Sequence, residues 1–97
     1  MDRMMKFNEV KGVRINLTEE HLEEELVLNG TYEYVKIEGI KSIANYNIAV
    51  YINDAGEDEY IVFEDSIAFE DIEVKKVRVK LLELIKDNQE VQVTLMR

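Results

Sequence analysis

The stretch DAGEDEYIVFEDSIAFEDIE, residues 54–73, places nine acids and no base among its twenty residues. Apolar residues are interleaved with the charge, at Tyr60, Ile61, Val62, Phe63, Ile67, Phe69 and Ile72. Because disordered acidic segments lack such side chains, this stretch belongs to a folded part of the chain. A folded element here must display negative charge on its surface.

The composition predicts one domain over residues 1–97. The chain has 97 residues and a hydrophobic content of 46%, enough for a packed core but too short for two domains. It contains no cysteine, which excludes a disulfide framework, a thiolate metal site and a nucleophilic thiol. The N-terminus has no apolar signal-peptide core, and no run approaches the length that spans a bilayer, so we expect a cytoplasmic protein.

The net charge of −9 constrains the class of partner. Direct binding to nucleic acid or to an anionic membrane relies on lysine and arginine, so neither is expected. A basic protein or a cation is favoured instead. The charge is also segregated, since acids concentrate at 19–25 and 54–73 and bases at 3–14 and 75–80.

Several segments alternate with the period of a β-strand. Residues 13–17 alternate strictly, and residues 32–37 are rich in aromatic and β-branched side chains, before a turn predicted at Glu38-Gly39. Residues 42–52 form a long strand with Tyr46 on the core face and Tyr51 on the opposite face. A return strand at 60–64 makes an antiparallel meander with the acidic loop at its tip, and residues 91–95 form a last strand.

Residues 19–28 favour a short helix. Thr18 is a good N-cap, the acids after it suit the positive end of a helix dipole, and Leu22 and Leu26 share a helical face. An alternative takes residues 26–28 as a strand that enters an Asn29-Gly30 hairpin.

Residues 72–86 fit two periods. The alternation of Val77, Val79 and Leu81 indicates a strand, whereas the spacing of Val74, Val77, Leu81 and Leu84 fits a helix. We expect a strand near 73–80 that passes into a short helix or turn. The predicted fold class is therefore α+β, a mostly antiparallel sheet with one or two short helices.

No motif indicates catalysis or a cofactor. An EF-hand register that starts at Asp54 fails, because Gly56 takes the third position and Glu59 the sixth. His21 is the single histidine, so zinc is improbable, and Ser42 and Ser66 lack the flanks of a nucleophile elbow. We expect no catalytic residues, no metal and no cofactor, and the chain is predicted not to be an enzyme.

Successive carboxylates on one face of a strand lie about 7 Å apart and can present a row of anions. In size and charge the chain resembles the small phage- and plasmid-encoded inhibitors that mimic DNA. The resemblance implies an acidic binding module, typical of a phage or mobile element, that occupies the DNA- or RNA-binding surface of a basic partner and often forms a homodimer. The predicted partner-binding residues are Glu19, Glu20, Glu23, Glu24, Glu57, Asp58, Glu59, Glu64, Asp65, Glu70 and Asp71.

Two alternatives remain open at this stage. The chain could be a homo-oligomeric assembly protein whose acids only confer solubility. It could also be a small-ligand binder or an enzyme, which would need a polar pocket.

Overall fold

The protein is described by a computed structural model that covers residues 8–41, 46–84 and 88–97. Its strands are β1 (Val10–Leu17), β2 (Glu23–Lys41), β3 (Ile48–Ile52), β4 (Ile61–Val62), β5 (Ser66–Leu81) and β6 (Gln89–Met96). They form one sheet in the order β1-β6-β2-β5-β3-β4, and every pairing is antiparallel.

The predicted α+β class is wrong, because the described residues contain strands and no helix. None of the described residues belongs to a helix that is long and apolar enough to cross a membrane.

β2 and β5 are the central strands, because they pair with each other and each also pairs with another strand. β6 pairs with residues 34–41 of β2, and β3 pairs with residues 77–81 of β5. We call β1, β6, residues 34–41 of β2 and residues 66–70 of β5 the β1 half. Residues 23–27 of β2, residues 77–81 of β5, β3 and β4 form the β3 half.

Bulges separate the two halves in the β2–β5 ribbon. Between the pairs Val27↔Lys76 and Tyr32↔Val74, β2 advances five residues while β5 advances two. Between Tyr32↔Val74 and Tyr34↔Glu70 the imbalance reverses, since β5 advances four residues while β2 advances two. Extra residues on first one strand and then the other bend both strands.

The chain connections show how strongly β2 bends. Leu17 pairs with Gln89 and Lys41 pairs with Glu90, so the ends of β1 and β2 flank the start of β6 and are only two strand spacings apart. The six residues from Leu17 to Glu23 reach at most roughly 20 Å, whereas a straight strand of 19 residues would span roughly 60 Å. β2 must therefore turn back on itself, and the sheet curls around its apolar face.

One apolar cluster lies inside the curl. Ile15, Val93 and Leu95 from the β1 half and Val50, Val77 and Val79 from the β3 half all belong to it. The predicted alternation of residues 13–17 and 91–95 is confirmed, because Ile15, Leu17, Val91, Val93 and Leu95 are buried.

The helix predicted over residues 19–28 is wrong, because β2 begins at Glu23. Thr18 does act as a cap, but of a turn: its Oγ1 accepts hydrogen bonds from the backbone N–H of Glu20 and His21. The apolar residues that point inward are Leu26 and Leu28, which are two apart, so cross-strand pairing outweighed the helical spacing of Leu22 and Leu26.

Further details of the chain path also differ from the predictions. The turn at Glu38-Gly39 and the hairpin at Asn29-Gly30 are wrong, because β2 runs through both. Tyr46 lies before β3 and is 55% exposed, so its predicted place on the core face is wrong. Tyr51 does lie opposite the core face of Ile48 and Val50, but it is only 2% exposed because the Arg78 guanidinium covers its ring. The strand near 73–80 is confirmed within β5. Of the short helix or turn expected after it, residues 82–84 contain no helix and bend at 82–83, and residues 85–87 lie outside the described part.

Candidate protein-interaction surface

The loop between β3 and β4, residues 53–60, carries the first predicted acidic group and is fixed along β5. Asn53 is its anchor, with φ at 56°. The Asn53 Oδ1 accepts from the Lys75 N–H at 2.7 Å, and its Nδ2 donates to the Glu73 carbonyl at 2.8 Å. The side chain thus binds the backbone of β5 where that strand is bulged, which sets where the loop starts.

Asp54 continues the attachment, with its carboxylate 2.9 Å from the Lys76 ammonium. The hydrogen bond to Lys76 lowers the pKa of Asp54, and the same bond raises the pKa of Lys76. This carboxylate is held by a cation of its own chain.

Glu57 is held in the same way by Arg78. The Arg78 Nη1 lies 3.0 Å from Glu57 and 2.9 Å from Glu23, and the guanidinium stacks 3.8 Å from the centre of the Tyr51 ring. Burial lowers the pKa of Arg78, but the hydrogen bonds to Glu57 and Glu23 outweigh it and raise the pKa above the usual guanidinium value. The Lys80 ammonium also lies 3.7 Å from Glu57.

The contacts of Arg78 unite two acidic groups that are far apart in sequence, since Glu23 opens β2 and Glu57 lies in the β3–β4 loop. The same ion pairs neutralise both carboxylates within the chain. The basic run at 75–80 is therefore at least partly a source of charge balance within the fold.

The carboxylates around the β3–β4 hairpin behave differently. Asp58 and Glu59 lie before β4, and Glu64 and Asp65 lie after it. All four are exposed, and within the described part of the chain none has a lysine or arginine at ion-pair distance. The Glu59 carboxylate accepts from the Gly56 N–H at 2.6 Å, and Glu64 accepts from the Tyr46 hydroxyl at 3.4 Å.

Apolar side chains are exposed between these two acidic pairs. Tyr60 is 39% exposed and Ile61 is 42% exposed, and Tyr46 lies against Glu64. Tyrosine is enriched at protein interfaces, where its apolar ring and polar hydroxyl both contribute. We call Tyr46, Asp58, Glu59, Tyr60, Ile61, Glu64 and Asp65 the hairpin surface.

Glu70 and Asp71 lie elsewhere, at the bend of β5. Along β5, Asp71 is separated from Arg78 by the bulge between Glu70 and Lys76. Asp71 has φ at 54°, and with Glu33, Ile72 and Glu73 it lines an open cleft of about 400 Å³.

Sequence reasoning missed Glu33 and Glu73 as members of this cleft. Glu33 lies 38 positions before Asp71, and only the pairing of Tyr32 with Val74 brings the two segments together. No local sequence pattern indicated this pairing. The described residues include no group of three His, Cys, Asp or Glu side chains arranged to hold a metal ion.

The last predicted group lies at the connection between β1 and β2. Glu19 and Glu20 are exposed beside Thr18 and Asn88, around a shallow cleft of about 280 Å³. The Glu24 carboxylate contacts the His21 Nε2 at 2.9 Å. The eleven predicted residues are thus spread over several regions. The hairpin surface combines two pairs of exposed carboxylates, which have no described cation at ion-pair distance, with exposed tyrosine rings.

Comparison of the sequence with protein-family models and with curated proteins finds no match.

Proposed function

We propose that the protein is a non-enzymatic, acidic protein-binding module that contacts a basic partner through the hairpin surface. The observation that supports it is a contrast between two sets of carboxylates. Those of Asp54, Glu23 and Glu57 form ion pairs within the chain. Those of Asp58, Glu59, Glu64 and Asp65 are exposed and have no lysine or arginine at ion-pair distance among the described residues. Unpaired acids beside exposed tyrosines supply both long-range attraction and a desolvated contact.

The more specific form of the proposal is that the partner is a nucleic-acid-binding protein whose basic site the hairpin surface fills. One acidic pair precedes the edge strand β4 and the other follows it, so anions flank this short strand on both sides in the chain. A basic groove that binds phosphates would attract such an edge, and binding would weaken as salt screens the charges. The proposal includes a cytoplasmic location.

The test compares two variants of equal charge in affinity capture from the native host at low salt. The hairpin variant carries D58N, E59Q, E64Q and D65N. The control carries E25Q, E33Q, E73Q and E83Q, which remove the same number of exposed charges from other places. We expect wild type and control to capture the same basic protein, and the hairpin variant to lose at least tenfold in affinity.

Two further measurements on the captured partner sharpen the result. Its affinity should fall steeply with salt, and the wild-type protein should displace DNA or RNA from it. If both variants bind as wild type does, or if binding is indifferent to salt, the acids serve solubility and the proposal fails.

A further inference from the structure

Two edges of the β1 half are open, and they lie at its opposite sides. The β1 half has the strand order β1-β6-β2-β5, and in the described part of the chain neither β1 nor residues 66–70 of β5 has a strand on its outer side. An open edge presents backbone N–H and C=O groups that another strand can pair with.

The hydrogen-bond pattern shows which groups point outward from β1. Glu9 and Arg97 exchange backbone hydrogen bonds of 2.8 and 3.0 Å, so they form a hydrogen-bonded pair. Because such pairs alternate in an antiparallel ladder, positions 11, 13, 15 and 17 face β6, and Val10, Gly12, Arg14 and Asn16 direct their backbone groups outward.

The same reasoning applies to β5. The Gly39 N–H donates to the Asp65 carbonyl at 2.9 Å, which makes positions 67 and 69 face β2. Ser66, Ala68 and Glu70 therefore direct their backbone groups outward.

Exposed side chains occur at outward-bonding positions on both edges. Arg14 and Asn16 on one edge and Ala68 and Glu70 on the other all have exposed side chains. In an antiparallel pair, residues directly opposite each other project to the same face. Pairing the two edges would therefore continue the polar face and also bring Ile15 of one copy beside Ile67 and Phe69 of the next, which are only partly buried in the single chain.

Direction and charge select the same arrangement. The four strands of the β1 half alternate in direction, so β1 and β5 run in opposite directions. In a head-to-tail repeat every copy has the same orientation. β1 of a second copy placed beside β5 therefore runs antiparallel to it. The β1 edge carries Lys11 and Arg14, whereas residues 66–73 carry only acids. Two-fold pairing of β1 with β1, or of β5 with β5, would instead place like charges together.

We propose that the open edge of β5 at residues 66–70 binds the β1 edge of a second copy of this chain, in a head-to-tail contact that extends the sheet. The register that places Glu70 opposite Arg14 also places Ala68 opposite Asn16. Arg14 already lies 3.0 Å from Glu90 within its own chain, so Glu70 of the neighbour would join an existing ion pair. A heterologous contact of this kind repeats into rings or filaments, not into a closed two-fold dimer.

The test blocks each edge separately and then mixes the blocked proteins. Asn16→Pro blocks the β1 edge and Ala68→Pro blocks the β5 edge, and each removes an outward N–H without removing a hydrogen bond inside the sheet. Sedimentation velocity over a wide concentration range should show wild type forming species larger than a dimer. Each variant alone should stay at the monomer mass of 11.4 kDa, and their equal mixture should give a particle of twice that mass.

Circular dichroism and thermal unfolding establish that each variant is folded. A charge exchange provides an independent test: Arg14→Glu and Glu70→Arg should each abolish assembly, and the double variant should restore it. A wild type that stays monomeric at millimolar concentration, or an Asn16→Pro or Ala68→Pro protein that still dimerises alone, overturns the proposal. The residues involved are not those of the hairpin surface, so loss of assembly and loss of partner binding are distinguishable.

Discussion

β2 and β5 bend at neighbouring points of the same ribbon, but different interactions hold the two bends. The bend of β2 contains Gly30, with φ at 93°, and is held by charged groups from both ends of the described chain. Arg97 donates to the Asn29 carbonyl at 2.6 Å, contacts Glu9 at 3.1 Å and lies 4.4 Å over the Tyr32 ring.

At the bend of β5 a neutral amide binds the backbone. Asn53 binds the carbonyl of Glu73 and the N–H groups of Lys75 and Lys76, and Asp71 takes up a left-handed conformation nearby. The comparison shows that the backbone groups displaced by a bulge need hydrogen-bond partners. Charged side chains that are distant in sequence can provide these partners, and so can a single amide side chain. The Asn53 amide does not titrate, whereas the Glu9 carboxylate that holds the bend of β2 does.

The largest expected effect is that of Gly30→Ala. At this φ an L-residue is strained, and the added Cβ would lie 2.6 Å from the Arg97 Nη1, which displaces that guanidinium from the Asn29 carbonyl. We expect a loss of about 2–3 kcal/mol in the free energy of unfolding, measured by urea denaturation. Gly56→Ala in the exposed β3–β4 loop is the control and should change stability by less than about 0.5 kcal/mol. Equal effects at both glycines would remove the special role of the β2 bend.

Asn53→Ala should have the next largest effect. It removes the acceptor for Lys75 and the donor for Glu73, and partly exposed backbone groups regain some of these bonds from water. We expect a loss of about 1–2 kcal/mol. Asn53→Gly separates the causes, because it relieves the left-handed strain but still lacks the amide. If Asn53→Ala, which lacks the amide and keeps the strain, is as stable as wild type, the amide does not hold the bend.

The smallest effect should appear as a difference in pH dependence. Hydrogen bonds from Tyr32 and Arg97 lower the pKa of Glu9. A carboxyl whose pKa is lower in the folded than in the unfolded protein stabilises the fold above its unfolded pKa, and that contribution is lost as the pH falls through the folded value. Glu9→Gln should therefore be less stable than wild type at neutral pH, and the difference should vanish in acid.

The same contact acts in the opposite direction at high pH. The hydrogen bond to Glu9 raises the pKa of Tyr32, so its contribution is present below the ordinary tyrosine pKa and is lost as the pH rises through the folded value. Thermal unfolding across pH should show Asn53→Gly following the wild-type profile while Glu9→Gln departs from it. A Glu9→Gln profile parallel to that of wild type would contradict the assignment of pH sensitivity to the β2 bend.

The residues that sequence reasoning placed correctly are those whose burial depends on local alternation. Ile15, Leu17, Val91 and Val93 lie on one face at a spacing of two, and that spacing already fixes their side of a strand. Residues 19–28 were placed wrongly because their acids and leucines satisfy a helix equally well. The strand wins there because Glu23 to Val27 pair with residues 76–80, a contact that no local signal contains.

The candidate surface divides in the same way. Its acidity was evident from residues 54–73, and the exposed pairs Asp58, Glu59 and Glu64, Asp65 belong to the predicted set. That Glu57 is tied to Arg78 was not evident, because an ion pair across strands depends on register. The cleft between Glu33 and Asp71 depends on the bulges and was equally hidden.

By itself, the sequence determined that this chain is acidic, has enough apolar residues for a core, and alternates as strands at its two ends, because these properties are set by composition and by near neighbours. The tertiary structure alone decided that residues 23–28 belong to a strand, that β2 and β5 bend, and which carboxylates of the described residues form ion pairs. The physical reason is common to all three. Each depends on the register between segments distant in the chain, and register is fixed by the packing of the whole core.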